Sequence, residues 1–457
     1  MYYWTGPMRG RKLAMLRTAR AVLAVAIVCG MPITTFGQLD SESGIHAGAS
    51  RIDITPPVDE LPAPLTSVHD PIYVRALMVE SEGARAIIAV VEVPNIAADI
   101  HEDMVQQIGR EFDVPREHIM LGISHTHNSM RVTPPGESPI PTSDAFTARV
   151  RSGTVEAVRA AQNRLQPARA GYRAGQSSLV LGRNEWHDAQ RRYIDGIDRT
   201  GTVPVDQTLG VYEFESLSGE SIAVILNYGI TPVVYEVAKS ELSGDVPGAA
   251  SRYVEGALGG EAVAIFTIGS PGSPAYRVWF DEDPRRNAKT AEAIMDAMGV
   301  ILGEETLAQM GEIEGSTTGL EILGVSDSLT CPGKKTTPRN LRNHCAYTEE
   351  SDLPPCEHTD APFMDVTLNM GVLRLGDVAY VWADANVVPT LWQKLKRASP
   401  LRNMLFVGSN FGQFRFVVDD AAYALNTYPA TDTRAAVGCA EQGFIRGTVK
   451  LIDDAFW

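Results

Sequence analysis

The sequence predicts a mixed α/β (α+β) fold, in the form of a single large, layered domain of catalytic type with mixed sheets and flanking helices. Two features of the 457 residues carry this prediction. Apolar, strand-like runs alternate with helix-like stretches, as they do in layered α/β proteins. No Pro/Ser-rich linker, low-complexity tract or internal repeat offers a domain boundary, although length alone would allow two or three domains.

Short apolar or alternating runs bounded by turn residues predict the strands, and apolar residues three or four apart predict the helices. The predicted strands are residues 47–57, 70–79, 85–93, 119–123, 209–214, 222–227, 262–268, 364–382 and 404–408. The predicted helices are residues 99–112, 143–165, a helix that begins at residues 242–248, 281–302 and 390–398. The strand–helix–strand order of residues 85–123 predicts a site at the carboxyl end of the last strand.

The first 37 residues have the layout of a secretory signal peptide. An apolar run at residues 21–29 is followed by small residues that suit cleavage before Gln38, and it is preceded by five basic residues: Arg9, Arg11, Lys12, Arg17 and Arg20. The run is too short for a transmembrane helix. We therefore expect a secreted or periplasmic protein without a stable membrane span, whose domain occupies residues 38–457.

Charge and cysteine content restrict the partners and the compartment. Removal of residues 1–37 changes the net charge from −16 to about −21. Nucleic acid is therefore not an expected partner, because phosphate binding needs a basic surface. Four cysteines remain and predict two disulfides with three possible connectivities, with free buried thiols as the alternative; they are Cys331, Cys345, Cys356 and Cys439. Three of them fall in a polar stretch at about residues 326–362, which we interpret as a disulfide-pinned insertion.

The candidate site is centred on His125 and His127, which directly follow the apolar run 119–123. Side chains two residues apart on an extended chain point to the same face. Two imidazoles could therefore reach one metal ion or one substrate oxygen from the end of a sheet. A purely structural role is the alternative for both histidines.

Five segments along the chain resemble the neutral/alkaline (non-lysosomal) ceramidase family. They are Ile-Asp-Ile-Thr-Pro-Pro at 52–57, His-Asp-Pro-Ile-Tyr-Val-Arg at 69–75, Ser-His-Thr-His-Asn at 124–128, Leu-Ser-Gly-Asp-Val-Pro-Gly at 242–248, and residues 410–428. Their order resembles that of the family's N-terminal catalytic domain across nearly all of residues 46–455. The family's C-terminal immunoglobulin-like domain has no counterpart in this sequence.

The resemblance implies a hydrolase of linear amide bonds in N-acyl lipids, N-acylsphingosine or related compounds, in which one zinc ion activates water. It equates His125 with the first zinc ligand and His127 with a histidine that contacts the substrate. Arg183 matches an active-site arginine, and Tyr428 matches a tyrosine on the oxyanion side. Ser273 lies near the position of a catalytic serine in a shortened loop. A further tyrosine of the family has the spacing of Tyr423.

Three of the four positions that the resemblance equates with zinc ligands hold unsuitable residues. Thr231 stands in place of a histidine, Asn386 in place of a glutamate and Phe416 in place of a tyrosine. Hydroxyl and amide oxygens are weak substitutes for these ligands, and a phenyl ring offers none. Two carboxylates, Asp384 and Asp245, could complete a site with the two histidines. Asp384 would share a face with Asn386 on an extended chain. For Asp245, helix capping or structural support is the favoured alternative.

Two main interpretations follow from the sequence. The first is an exported hydrolase of small-molecule or lipid amides, with zinc as its cofactor if the altered site still binds the metal. The alternative is a catalytically inactive relative that binds a lipid or glycan without zinc. A metal-dependent amidohydrolase of the TIM-barrel class is less favoured, because no later lysine and histidine pattern with β/α spacing follows. The sequence does not indicate an oligomeric state.

Overall fold

The computed structural model describes residues 44–134, 142–187, 192–195, 198, 201–236, 238–275, 287–336, 360–408 and 412–457. Strands and helices both contribute to every part of this fold, so the predicted mixed α/β class is confirmed. No helix of the described residues is long and apolar enough to cross a membrane.

The strands of the described residues are numbered in chain order. They are β1 (Ile45–Asp53), β2 (Ser67–Val68), β3 (Tyr73–Ser81), β4 (Ala84–Val91), β5 (Ile119–Ile123), β6 (Gln166–Gln176), β7 (Val180–Leu181), β8 (Asn184–His187), β9 (Arg192–Asp195), β10 (Thr208–Ser216), β11 (Ser221–Ile230), β12 (Glu241–Leu242), β13 (Val263–Pro274), β14 (Ile322–Lys334), β15 (Pro362–Leu375), β16 (Val378–Ala383), β17 (Asn386–Val387), β18 (Met404–Gly408) and β19 (Phe416–Val417).

The helices are numbered in the same way. They are α1 (Ala98–Phe112), α2 (Asp144–Gln162), α3 (Asp245–Ala257), α4 (Ala288–Met310), α5 (Pro389–Ala398), α6 (Asp420–Ala424), α7 (Tyr428–Asp432) and α8 (Ala440–Phe456). Two short 3-10 helices cover Val58–Glu60 and Arg116–His118.

Two mixed sheets form the centre of the fold. The larger sheet has nine strands in the order β5-β4-β3-β1-β6-β10-β11-β13-β7, and the smaller has four in the order β14-β15-β16-β18. The pairs β4–β5, β11–β13 and β16–β18 are parallel. One apolar core lies between the two sheets. Helices α1 to α4 cover the outer face of the larger sheet, and α5 and α8 cover that of the smaller one. The result is a helix–sheet–sheet–helix arrangement.

Strand β3 shows how the sequence produces these layers. Val74, Ala76 and Met78 face the core under α1 and α2, whereas Leu77 and Val79 face the core between the sheets. Successive side chains of a strand point to opposite faces. A strand that is buried on both faces must therefore be apolar at nearly every position, which explains the continuous apolar run.

Part of the polar stretch at residues 326–362, which is predicted as a disulfide-pinned insertion, is a regular strand. Its first part, up to Lys334, belongs to β14 and pairs antiparallel with β15. Residues 337–359, with Cys345 and Cys356, lie outside the described residues. The remaining two cysteines form a disulfide, Cys331–Cys439, which joins β14 to the residue before α8. The prediction of disulfide bonding is confirmed for this pair.

We expect the double variant Cys331→Ser/Cys439→Ser to lose about 2–5 kcal/mol of unfolding free energy, because the bond closes a long loop of the unfolded chain. The two half-cystines are separated by 108 residues. Urea denaturation measures the loss. Each single variant should lose about as much as the double variant, since either one breaks the bond. Additive single losses would contradict this account.

Candidate active site

The chain leaves β5 in a turn that carries His125 and His127. His125 has a φ of 63°, in the left-handed region, so the segment is not extended as predicted. The two imidazoles still lie close together, with ring centroids 5.2 Å apart and the rings edge to face. The side chain of His125 is buried and that of His127 is 35% exposed. The turn, and not a strand periodicity, therefore brings the two rings together.

Two residues between and after the histidines anchor this loop. The Thr126 hydroxyl donates to the Ser243 carbonyl at 2.9 Å, and the Asn128 side-chain amide donates to the Tyr235 carbonyl at 2.9 Å. In return, the Ser243 amide donates to the Asn128 carbonyl at 2.8 Å. All of these bonds reach the connection between β11 and α3, more than 100 residues along the chain. The two connections thus form one rigid platform for the histidines.

The same connection supplies a carboxylate that the sequence analysis missed. Glu236 Oε1 lies 3.5 Å from Nδ1 of His127. The hydrogen bond with His127 lowers the pKa of Glu236 below its usual range. No local pattern pairs these two residues, because their proximity depends on the anchoring of one loop to the other.

His125 is held as a neutral imidazole. Burial lowers its pKa to about 3, with further lowering by the charges of His127, Arg183 and Arg131. A hydrogen bond to the Pro94 backbone opposes this shift only in part. Nδ1 of His125 is buried without a hydrogen-bond partner among the described residues.

Unpartnered polar atoms are concentrated in this loop. Within residues 124–133, buried side-chain atoms without a partner among the described residues occur on six side chains: Ser124, His125, Asn128, Ser129, Arg131 and Thr133. Asn95, on the neighbouring connection after β4, carries another. Buried polar groups are normally hydrogen-bonded in folded proteins, and a group of exceptions calls for water or a ligand. The loop therefore has the properties of a polar ligand site.

A second group of contacts brings together four residues that the sequence analysis selected. The Arg183 guanidinium lies 4.4 Å from the centre of the Tyr428 ring. That ring meets Phe416 edge to face, with centroids 5.8 Å apart. Asn386 is the direct partner of Phe416 in the β17–β19 pair. A cavity of about 40 Å³ borders Arg183, Asn386 and Phe416.

Three further candidates are Thr231, Ser273 and Tyr423. Their contacts, given below, are mainly structural. The hydroxyl of Thr231 donates to the Gly272 carbonyl at 2.9 Å, which fixes Thr231 against β13. Ser273, the next residue on β13, pairs with Leu181. Tyr423 directs its hydroxyl to the Ala435 carbonyl at 2.8 Å. Nothing in these contacts gives Tyr423 a catalytic role.

Asp384 does not share a face with Asn386, because the chain bends between β16 and β17. Its carboxylate accepts hydrogen bonds from the backbone amide of Asn369 at 3.1 Å and from its side chain at 2.7 Å. Asp384 borders a separate cavity of about 570 Å³, together with Arg116 and Trp382. His125 does not border that cavity, so its size alone does not make it the site.

Asp245 is fully buried at the start of α3. Its carboxylate accepts hydrogen bonds from the backbone amides of Tyr235, at 3.0 Å, and Val246, at 2.6 Å. Burial nevertheless raises its pKa to about 6. These bonds hold the β11–α3 connection in place, so the contacts of Asp245 are structural. It is the first residue of α3 and not its N-cap, which is Gly244.

The residues that the structure describes do not fit a zinc centre. Among the described residues, no three His, Cys, Asp or Glu side chains come close enough together to hold a metal ion. The predicted set of His125, His127, Asp245 and Asp384 is therefore not assembled. At the positions equated with ligands, the hydroxyl of Thr231 is bound to a carbonyl and Phe416 offers no donor atom.

Comparison with known proteins identifies the fold. No protein-family model matches the chain. No curated protein matches it either. Among solved structures, a ceramidase complexed with C2 superposes with a TM-score of 0.69 at 17% identity, over 90% of this chain and 76% of the other. A neutral ceramidase from Pseudomonas aeruginosa superposes with a TM-score of 0.65 at 17% identity, over 90% and 75%.

The chain has the fold of a neutral ceramidase. The predicted resemblance is thus confirmed at the level of the fold. At this identity the likeness extends to the fold alone, so the activity has to be argued from the residues of the site.

We expect Thr126→Val to lower the unfolding free energy by about 1–3 kcal/mol, because the change keeps the shape but leaves the buried Ser243 carbonyl without its donor. Urea denaturation measures the loss. Thr330→Val is the matched control, since that hydroxyl is exposed and bonded only to the Thr367 hydroxyl. Equal losses in the two variants would contradict the anchoring role of Thr126.

The raised pKa of Asp245 predicts a pH-dependent effect of Asp245→Asn. A carboxyl whose pKa is raised on folding contributes stability below its unfolded pKa of about 4, and this contribution is lost as the pH rises through about 6. The wild type therefore loses up to about 3 kcal/mol from this group between pH 4 and pH 7, and the variant does not. The difference in unfolding free energy, variant minus wild type, should rise over this interval. A constant difference would contradict the raised pKa.

Proposed function

We propose that this protein is a ceramidase-like hydrolase of linear amide bonds in N-acyl compounds, and that its base is His127 rather than a metal-bound water. The observation that carries the proposal is the pairing of His127 with Glu236, with Nδ1 and Oε1 3.5 Å apart, beside the neutral His125. A carboxylate on one ring nitrogen orients the imidazole and leaves the other nitrogen available to accept a proton. Catalytic hydrogen bonds are often long before the substrate binds.

The proposed reaction uses water and the amide alone. Nε2 of His127 takes a proton from water while the water oxygen bonds to the carbonyl carbon, and the carbonyl electrons move to its oxygen. When the tetrahedral intermediate collapses, the C–N bond breaks and the proton passes from Nε2 to the leaving nitrogen. The products are a fatty acid and an amine, and His127 returns to its starting state.

The remaining residues have supporting roles in this proposal. Arg183, held against the Tyr428 ring, is the candidate donor to the developing oxyanion. His125 remains neutral because its pKa is about 3, and it can donate or accept one hydrogen bond without adding charge. Ser273 is not required by this scheme.

An N-acyl lipid as the substrate and export as the destination belong to the same proposal. The substrate class is supported by the fold shared with a ceramidase complexed with C2. Export is supported by the basic and apolar pattern of residues 1–37 and by the disulfide Cys331–Cys439, since such bonds persist in oxidising compartments.

The proposal predicts that His127→Ala lowers kcat/KM for a linear amide by about 10²–10⁴-fold, the usual contribution of a positioned general base. Glu236→Gln should lower it by about tenfold or more, because the imidazole loses its orienting charge. Release of aminomethylcoumarin from its N-dodecanoyl amide measures both effects. Glu220→Gln, an exposed residue of the β10–β11 turn, is the matched control and should retain wild-type kinetics.

The second candidate, an inactive relative that binds lipid or glycan, is favoured by the substitutions at Thr231, Asn386 and Phe416. The same assay separates the two candidates. No hydrolysis of any N-acyl amide by the folded wild type would favour the binding protein, and hydrolysis that survives His127→Ala would contradict the proposed base.

A further inference from the structure

The cavity of about 570 Å³ lies beside the apolar layer between the two sheets. One wall is β5, the edge strand of the larger sheet, from Ile119 to Gly122. The smaller sheet contributes Trp382 of β16 and Val407 of β18, which are direct partners in their strand pair. The histidine loop, residues 124–133, does not border this cavity. Its volume is within the range of about 300–1,000 Å³ that is usual for small-molecule sites.

Trp382 gives the cavity a large aromatic surface. A Cβ atom at Gly371 would lie 2.6 Å from three atoms of the indole ring, so only glycine lets the ring rest on β15. The ring is thus held on the sheet while the residue stays partly exposed. The guanidinium of Arg116 lies 5.7 Å from the ring centre, so the ring already attracts one cation.

Asp384 is a buried charge at this cavity, with 6% of its surface exposed. Its two carboxylate oxygens accept hydrogen bonds from the backbone amide and the side-chain amide of Asn369, and both donors are neutral. Asp384 forms no ion pair within the described part of the chain, and Arg116 is paired with Glu102 instead, at 2.8 Å. Burial raises the pKa of Asp384 to about 6. A buried carboxylate without a cation is costly, unless a ligand supplies the positive charge.

The charged side chains that border the cavity are negative in sum. Glu102 neutralises Arg116, which leaves the buried Asp384 and the exposed Asp327. His101 adds no positive charge, because burial lowers its pKa to about 4. Carboxylates accept hydrogen bonds and cannot donate them when ionised. The cavity therefore favours a ligand that brings donors and positive charge to one end and an apolar body to the other.

We propose that this cavity is a second ligand site, which binds an organic amine through an ion pair between its ammonium group and the Asp384 carboxylate. The apolar part of the amine lies against Trp382 and the Ile119–Gly122 edge of β5. An ammonium group supplies three donors and the charge that the Asn369 amides lack. This inference goes beyond the proposed amide hydrolysis and does not depend on it.

Calorimetry with 4-phenylbutylamine and the neutral 4-phenylbutanol tests the ion pair. We expect the wild type to bind the amine at least about tenfold more tightly, because hydrogen bonds between charged groups are the stronger ones. Asp384→Asn should remove most of this difference by weakening the amine, with the alcohol changed less than about threefold. Asp377→Asn is the matched control and should bind as the wild type does. Its carboxylate also accepts from an asparagine side chain, Asn403, at 2.8 Å, but it is exposed.

Two further variants locate the bound amine. Trp382→Leu should weaken the amine and the alcohol alike, by about fivefold or more, because it removes apolar contact area. This variant also tests the site if Asp384→Asn does not fold, and unchanged binding of both compounds would contradict the assignment. Glu236→Gln alters the carboxylate of the candidate active site and should leave amine binding unchanged. Equal binding of the amine and the alcohol by the wild type would overturn the inference. So would a preference for the amine that is lost in Glu236→Gln and kept in Asp384→Asn.

Discussion

The candidate site depends on the hydrogen bonds that join the loop after β5 to the connection between β11 and α3. Thr126 and Asn128 point into that connection and bond to backbone carbonyls, so the two histidines are left to face the site. Together with the bond from the His127 amide to the Pro232 carbonyl, at 3.2 Å, they fix the position of His127 relative to Glu236.

A second network holds the β11–α3 connection itself. Asp70 accepts from the Ser243 hydroxyl at 2.5 Å and from the Gly244 amide at 2.9 Å, and it also pairs with Arg252 at 2.8 Å. Deeper in the fold, buried Arg75 bridges Glu92 and Glu255. Removing one partner from such a buried ion group is destabilising, because the remaining charges lose their compensation. The loops of the candidate site therefore rest on a polar network as well as on the apolar layers.

The sequence was sufficient to predict the strands and helices whose pattern of apolar residues reflects their burial. The apolar run of β5 was predicted with its observed bounds, and α1 differs from its prediction by one residue, because continuous apolar runs and 3.6-residue spacing report the layers directly. Strand β14 was missed because its residues 326–330 are mostly exposed and polar. Helix α8 was also missed, although Phe444, Leu451 and Ile452 have helical spacing and are buried.

The site was predictable only in part, for physical reasons. The resemblance selected His125, His127, Arg183 and Tyr428, and the first and last pairs do make contact. It could not reveal Glu236, because tertiary contacts bring Glu236 to His127.

The central claim is that a histidine–carboxylate pair lies in a ceramidase fold whose described residues do not fit zinc. The most direct test is the zinc content of protein dialysed against zinc and then against buffer, measured together with amide hydrolysis. We predict a content far below one zinc per chain, with hydrolysis unchanged by a chelator. About one zinc per chain that is lost in His125→Ala, with hydrolysis that follows the metal, would contradict the account.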